Sequence, residues 1–400
     1  MSKNRPDAAQ NDGSIYPDTL LTHGGNHPED FHGFVNPPVV HASTVLFPNV
    51  KSMRDGSRTY HYGRRGTPTT AALEEAITAL EGAAGTKLAT SGLNAIALAL
   101  LSCLKAGDNV LIVDTCYGPT RELADRLLPR YGITATYFDP SVGAEVEGLF
   151  QDNTRALFLE SPGSLTMEML DIAPLVAAAK ARGARVLMDN TWATPLFYQP
   201  IRDGIDLSIQ AATKYIVGHS DTMIGTVAAS AEAWPDLEAT HGWLGLHVAP
   251  DDVYLALRGL KTLSVRLERH QRNATAVAEW LQSRPEIREV RYPALAGSPG
   301  HNLWSTYFKG ACGLFTFAFD KRVSEAQSEA FLDALKLFGL GYSWGGYESL
   351  AIPVRLNGIR TASPASVVEA GPMVRLHVGL EDPRDLIADL EQALAAAIPA

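Results

Sequence analysis

From residue 67 onward the apolar positions fall into a repeating order of helical and strand periods. Leu73, Ile77 and Leu80 share one helical face, with Thr67-Pro68 as a cap and first-turn pair and Gly82 as the stop, so a helix is predicted there. Short apolar runs follow at 86–90, 110–114, 133–138, 155–159, 185–189 and 206–210, and another covers 222–229. Helical patterns at 95–104, 120–130 and 172–182 lie between them. Strands that are apolar throughout and spaced by helices predict a parallel sheet covered on both faces. After Gly225 the pattern changes: Leu257, Leu260, Leu267, Ala274, Val277 and Leu281 keep helical spacing. One long helix over 251–283, joining two domains, is the expectation. Strands at 313–319 and 374–378 and helices at 324–337 and 383–397 then form an α+β unit of domain size.

The chain before residue 67 is different. It is rich in Pro, Gly and His without a clear period, and reads as an arm whose first dozen residues are expected to be disordered. His23 and His27 are four apart, but Gly24-Gly25 between them spoils a helix, so a metal site there is not expected. The predicted organisation is an arm over 1–65, an α/β domain over 66–258 and a C-terminal α+β domain over 259–400.

Composition narrows the function more than the fold. The 400 residues exceed one ordinary core, and a formal net charge of −10 argues against a phosphate-backbone partner. No unbroken apolar run reaches membrane-spanning length, and the first twenty residues lack the apolar core of a secretion signal, so a cytoplasmic protein is expected. Cys103, Cys116 and Cys312 are too scattered for a disulfide framework or a zinc site and read as reduced thiols.

Three features then concern the carboxyl ends of the strands, where ligands bind in open α/β sheets. Lys214 follows the run 206–210 after a small Ala-Ala-Thr turn. It is either a surface cation or a desolvated amine kept nucleophilic for a carbonyl compound. Ser91-Gly92-Leu93-Asn94 joins a strand to a helix, and is either a plain turn or a helix start offering free N–H groups to a phosphate. Asp189 ends the run Val186-Leu-Met188, either capping a turn or pairing with a protonated heteroaromatic nitrogen. Arg64 and Arg65 in Tyr60-His-Tyr-Gly-Arg-Arg-Gly66, and Arg375 inside the strand 374–378, suggest anion recognition. For Arg375 an exposed edge position remains open against a carboxylate clamp. A G-x-G-x-x-G fingerprint, a serine-hydrolase elbow and an H-E-x-x-H zinc motif are all absent.

Taken together, Gln210-Ala-Ala-Thr-Lys-Tyr-Ile-Val-Gly-His-Ser-Asp221, Met188-Asp-Asn-Thr-Trp192 and Val374-Arg-Leu-His377 resemble the pyridoxal-phosphate enzymes of Cys/Met metabolism. The resemblance runs from about Leu20 to Leu394. It implies the aspartate-aminotransferase-like fold (fold type I), with a large mostly parallel-sheet domain and a smaller C-terminal one. It implies that Lys214 attaches pyridoxal 5'-phosphate and acts as a base, that Asp189 pairs with the pyridine nitrogen and that Tyr117 stacks on the ring and transfers protons. Gly92, Leu93 and the Thr213 hydroxyl would hold the phosphate, joined by Tyr62 and Arg64 of a neighbouring subunit. Arg375, with Ser343 and Trp344, would bind substrate. Such enzymes are typically tetramers, each a dimer of dimers with shared sites, acting on small amino-acid thioethers.

Departures from the family pattern narrow the activity. Many members have serine three residues before the lysine, where this chain has Ala211. The loop that reads Glu-Ser-Leu-Gly-Gly in γ-type members reads Tyr342-Ser-Trp-Gly-Gly346 here, and Pro119 stands where methionine γ-lyases carry a cysteine near the stacking tyrosine. This form is similar to the carbon–sulfur β-lyases and implies cleavage of L-cystathionine to homocysteine, pyruvate and ammonia. A γ-lyase, γ-synthase or broader cystine β-lyase activity is the alternative.

Overall fold

The computed structural model describes residues 15–356, 359–363 and 371–398; the expectation about the first dozen residues lies outside these. Among the described residues seven strands form the first sheet: β1 (Gly85–Ala89), β2 (Asn109–Val113), β3 (Thr134–Phe138), β4 (Thr154–Glu160), β5 (Arg185–Asp189), β6 (Leu207–Gln210) and β7 (Gly225–Ala229). Their order is β1-β7-β6-β5-β4-β2-β3. Pairing is parallel from β6 through β5, β4 and β2 to β3, and β7 runs antiparallel to both β6 and β1. Every residue of β2, β6 and β7 is buried, as two-faced helical cover requires.

The helix Pro68–Glu81 forms where the period placed it. Thr67 caps it in a reciprocal box with Thr70, and Gly82 ends it at φ +63°. The arm is fastened to this helix. A Cβ at Gly25 would lie 2.0 Å from the Ala72 carbonyl oxygen, and His27 Nε2 sits 2.8 Å from a Glu75 oxygen.

The second sheet contains β8 (Ile287–Arg291), β9 (Leu314–Phe319), β10 (Gly339–Leu340), β11 (Leu350–Val354) and β12 (Met373–His377), in the order β10-β11-β12-β9-β8. One continuous apolar core runs from the first sheet into the second. That continuity keeps the ends of β5 and β6 in a fixed relation to β12, which is what the site needs.

Two helical expectations are corrected. The pattern over 251–283 is two helices, Pro250–Leu260 and Leu263–Gln282. The break follows from the Gly259 carbonyl, which accepts from Arg266 Nη2 (2.8 Å) and the Thr262 hydroxyl (3.2 Å). Gly259 is also pressed onto the segment after Lys214, where a Cβ would come within 2.3 Å of the Val217 oxygen. The pattern over 120–130 is a short helix Gly118–Glu122, a π turn Leu123–Leu127 and a 3-10 turn Leu128–Tyr131. Pro129, with no N–H to give, prevents a regular continuation.

Candidate active site

Three adjacent strand ends build the floor of a crevice. Glu160 at the end of β4 is in register with Asp189 at the end of β5, and Asp189 with Ile209 of β6. The chain leaves β6 through Ala211-Ala-Thr213, and the Lys214 amide closes this turn on the Ala211 carbonyl. The following residues are held from behind: Arg266 donates to the carbonyls of Tyr215 (2.7 Å) and Ile216 (3.3 Å).

Lys214 projects across the crevice to the second sheet. Its Nζ donates to Ser343 Oγ at 2.8 Å and lies 5.4 Å from the Trp344 ring. Burial, with the Arg375 charge adding to it and Asp189 opposing, pushes the amine down to about 8. About a tenth of it is therefore the neutral, nucleophilic form at pH 7, roughly several hundred times the share of an ordinary lysine.

Asp189 is buried, and Thr191 gives its Oδ1 two hydrogen bonds, from the amide (3.0 Å) and the hydroxyl (2.5 Å). Neither goes to Oδ2, which has no hydrogen-bond donor among the described residues. Burial raises this carboxyl, with the Thr191 bonds and Lys214 opposing. Glu160 beside it is pushed well above the ordinary range by burial and then by the Asp189 charge. Its Oε2 accepts the Tyr117 amide at 2.7 Å, which fixes the half-exposed tyrosine at the crevice edge. The Tyr117 phenol is raised by burial, then by Asp189 and Glu160, so it remains a proton carrier.

At the other end, Ser91 caps the helix Gly92–Cys103 through a bond from the Asn94 amide. Among the described residues the Gly92 and Leu93 amides make no hydrogen bond and point out of the helix start. A Cβ at residue 92 would lie 2.4 Å from the Ala211 Cβ, so only glycine lets this helix start approach the lysine turn. The Thr213 hydroxyl is engaged with Ile224, donating to its carbonyl (3.1 Å) and accepting from its amide (2.9 Å).

Arg375 lies within β12, which is flanked by β11 and β9, so the edge-strand reading is set aside. Its guanidinium donates to the Tyr342 carbonyl (2.7 Å) and reaches the Ser343 carbonyl (3.4 Å). Ser343, Trp344 and Arg375 thus meet Lys214 from the second sheet. Tyr62 and Arg64 do not join them within the chain. Arg64 bonds the Gly242 carbonyl (3.3 Å) at the end of the helix Trp234–Leu244, and Tyr62 is exposed.

Glu160, Thr191 and His377 were missed by the sequence reading. Glu160 carried the same signal as Asp189, a carboxylate ending an apolar run. Thr191 and His377 act on other site residues and carry no signal of their own.

Comparison with known proteins gives the family. The description "Cys/Met metabolism PLP-dependent enzyme" matches residues 18–395. A Rhizobium johnstonii protein, provisionally named a cystathionine beta-lyase, is 52% identical over 382 residues, covering 95% of this chain and 96% of its own. The Escherichia coli cystathionine beta-lyase is 41% identical, covering 94% and 98%. A solved cystathionine gamma synthase from Xanthomonas oryzae superposes with a TM-score of 0.87 at 34% identity, covering 96% and 98%. The fold is the fold type I architecture of that group, a mostly parallel sheet with a smaller α+β layer. The chain belongs to the family of Cys/Met metabolism enzymes that use pyridoxal 5'-phosphate as cofactor.

Proposed function

We propose that this protein is a carbon–sulfur β-lyase that cleaves L-cystathionine to homocysteine, pyruvate and ammonia, a step of methionine biosynthesis. The observation that carries the reading is the hold of Ser343 on Lys214 from a Tyr342-Ser-Trp344 loop, the β-lyase form, beside Arg375. The beta-lyase names of relatives at 41–52% identity support it.

The residues fit the cofactor. The open Gly92 and Leu93 amides at a helix start suit its phosphate, the open Asp189 Oδ2 suits its pyridine N–H, and Lys214 lies between. Bound pyridoxal phosphate supplies an electron-withdrawing ring that stabilises negative charge at the substrate Cα. Arg375 binds the α-carboxylate through its fork, held by the Tyr342 and Ser343 carbonyls. Lys214 takes the Cα proton, its amine kept basic enough to accept it and neutral enough to act. The electron pair left at Cα expels sulfur from Cβ, and Lys214 or Tyr117 returns a proton to the sulfur. Homocysteine leaves as a thiol. The three-carbon remainder takes up water and falls to pyruvate and ammonia.

Tyr62 and Arg64 act on the phosphate in a neighbouring copy, making a dimer the smallest active unit within a homotetramer. The engagement of Arg64 with Gly242 rather than with the crevice supports this, as do the exposed Tyr62, Phe34, Val35, Leu46, Met53 and Trp243, apolar or aromatic side chains that suit a cover.

Product analysis tests the activity. With L-cystathionine the purified holoenzyme is expected to yield pyruvate and homocysteine; 2-oxobutyrate and cysteine would instead establish γ-cleavage, the reading favoured by the gamma synthase likeness. The lysine gives a second test. Cofactor-free protein should take up pyridoxal phosphate faster as pH rises, with a midpoint near the lowered value of about 8. A midpoint at the ordinary 10.5 would remove the argument that Lys214 is desolvated.

A further inference from the structure

We propose that His377 is a positioning residue of this site: its imidazole fixes the 342–346 loop that brings Ser343 to Lys214 and holds Arg375. The inference rests on Lys214 being the cofactor lysine, not on which thioether is cleaved.

Along β12 the side chains alternate, so Arg375 and His377 share a face and Leu376 takes the other. That face meets the loop. The Gly345 amide donates to His377 Nε2 at 3.1 Å, and the Gly346 carbonyl lies 3.1 Å from the same nitrogen. Gly345 sits at φ +88°, with the position of a Cβ only 2.8–2.9 Å from the Lys214 backbone and Cβ. The loop therefore rests directly on the lysine, and a small displacement at Gly345 moves Ser343 Oγ relative to Nζ. Arg375 donates to the Tyr342 and Ser343 carbonyls of the same loop, so the displacement reaches the guanidinium too. Among the described residues His377 is the partner of the Gly345 amide.

The Gly345 amide and the Gly346 carbonyl face the same Nε2, so a neutral ring holds the loop in either tautomer, accepting from the amide or donating to the carbonyl. The surroundings enforce neutrality: His377 is 1% exposed and packs against His270 (ring centroids 5.2 Å) and Tyr215 (6.0 Å), with Arg375 and Lys214 on the crevice side. Burial, then His270, hold the imidazole well below its ordinary value, with the Gly346 carbonyl opposing. His270 donates from Nδ1 to the Val378 carbonyl (2.8 Å), which leaves its Nε2 an unpaired acceptor. His377 Nδ1 is likewise unpaired.

The test compares His377→Phe, which cannot accept the Gly345 hydrogen bond, with His377→Gln, whose amide oxygen can. Both are loaded with pyridoxal phosphate, and the pH midpoint of the visible absorbance band is titrated without substrate. His377→Phe is expected to move that midpoint by about one pH unit and to raise KM about five- to tenfold, the cost of one buried hydrogen bond. His377→Gln should restore most of both. If His377→Phe fails to fold, His377→Ala removes the acceptor without added bulk and is read in the same way. A folded variant with the wild-type midpoint and KM overturns the proposal. So does His377→Gln showing the same losses as His377→Phe. A shifted midpoint in a protein that leaves cystathionine intact would sink the β-lyase reading and keep this one.

Discussion

Replacing Lys214 with alanine is expected to lower kcat on L-cystathionine by at least about 10³-fold, within the range of a positioned acid–base group. Two separate losses stand behind the number. On the proposed mechanism the amine that takes the Cα proton and returns one to sulfur disappears, and so does the group that attaches the cofactor. Ser343 Oγ loses its donor at the same time. The fold should survive, because the turn is closed by backbone bonds from the Lys214 amide and from Thr213 to Ile224, which alanine keeps. Circular dichroism and melting of the variant would therefore match wild type while turnover collapses. Retained turnover would sink the assignment of Lys214, whatever the product. Lys214→Arg separates the two losses: its charge persists, but a guanidinium cannot become the neutral nucleophile that the lowered amine provides.

Lys214 and Asp189 were legible in the sequence because each interrupts an apolar run where a strand ends, and burial of such a group demands a partner. Arg375 was half legible. Its place inside a strand could be read, but whether the strand was an edge depended on β11, which the sequence reading missed. Pro353 within Leu350–Val354 breaks the strand signal, and β11 tolerates it through a neighbour, β10, of only two residues. The reversal of β7 was readable in principle. Only 14 residues separate Gln210 from Gly225, and they hold the lysine turn rather than a crossover helix. The helix break at Lys261-Thr262 was not readable, since it depends on Arg266 and Val217 meeting Gly259 in three dimensions. Ser343 and Trp344 came from a family likeness, and geometry supplies what the likeness lacked: a bond to Nζ and a ring beside it. Tyr62 and Arg64 have no such bond to the lysine within the chain; Arg64 bonds the Gly242 carbonyl instead.

Asp114 carries the largest expected effect on stability. The sequence showed it only as the polar end of an apolar run. In the fold it is 1% exposed and acts as an anchor between the two sheets. Its carboxylate pairs with Arg121, itself buried and stacked 3.6 Å over the Tyr137 ring. It also accepts the amides of Thr361 (3.1 Å), Ala362 (3.0 Å) and Ser363 (2.7 Å), drawing the 359–363 segment onto the end of β2. Arg360 ties the same segment to Glu168 at 3.2 Å. Burial alone would raise the Asp114 carboxyl, but the Thr361, Ala362 and Ser363 bonds outweigh it and hold it at about 2. A folded value below the unfolded one, about 3.9, means the stabilisation is present above that pH and is lost as pH falls toward 2. Asp114→Ala leaves the Arg121 charge buried and three amides without an acceptor, so a loss of about 3–5 kcal/mol is expected. Denaturant melts should show a lower midpoint, and hydrogen exchange at the Thr361, Ala362 and Ser363 amides should quicken by about 10²-fold or more. Wild-type exchange at those three amides would show that the segment is held by Arg360 and Glu168 instead. The acid limb separates these outcomes further: the gap between wild type and Asp114→Ala must close as pH falls through the carboxyl's range, because protonation removes from wild type the same charge that the substitution removes.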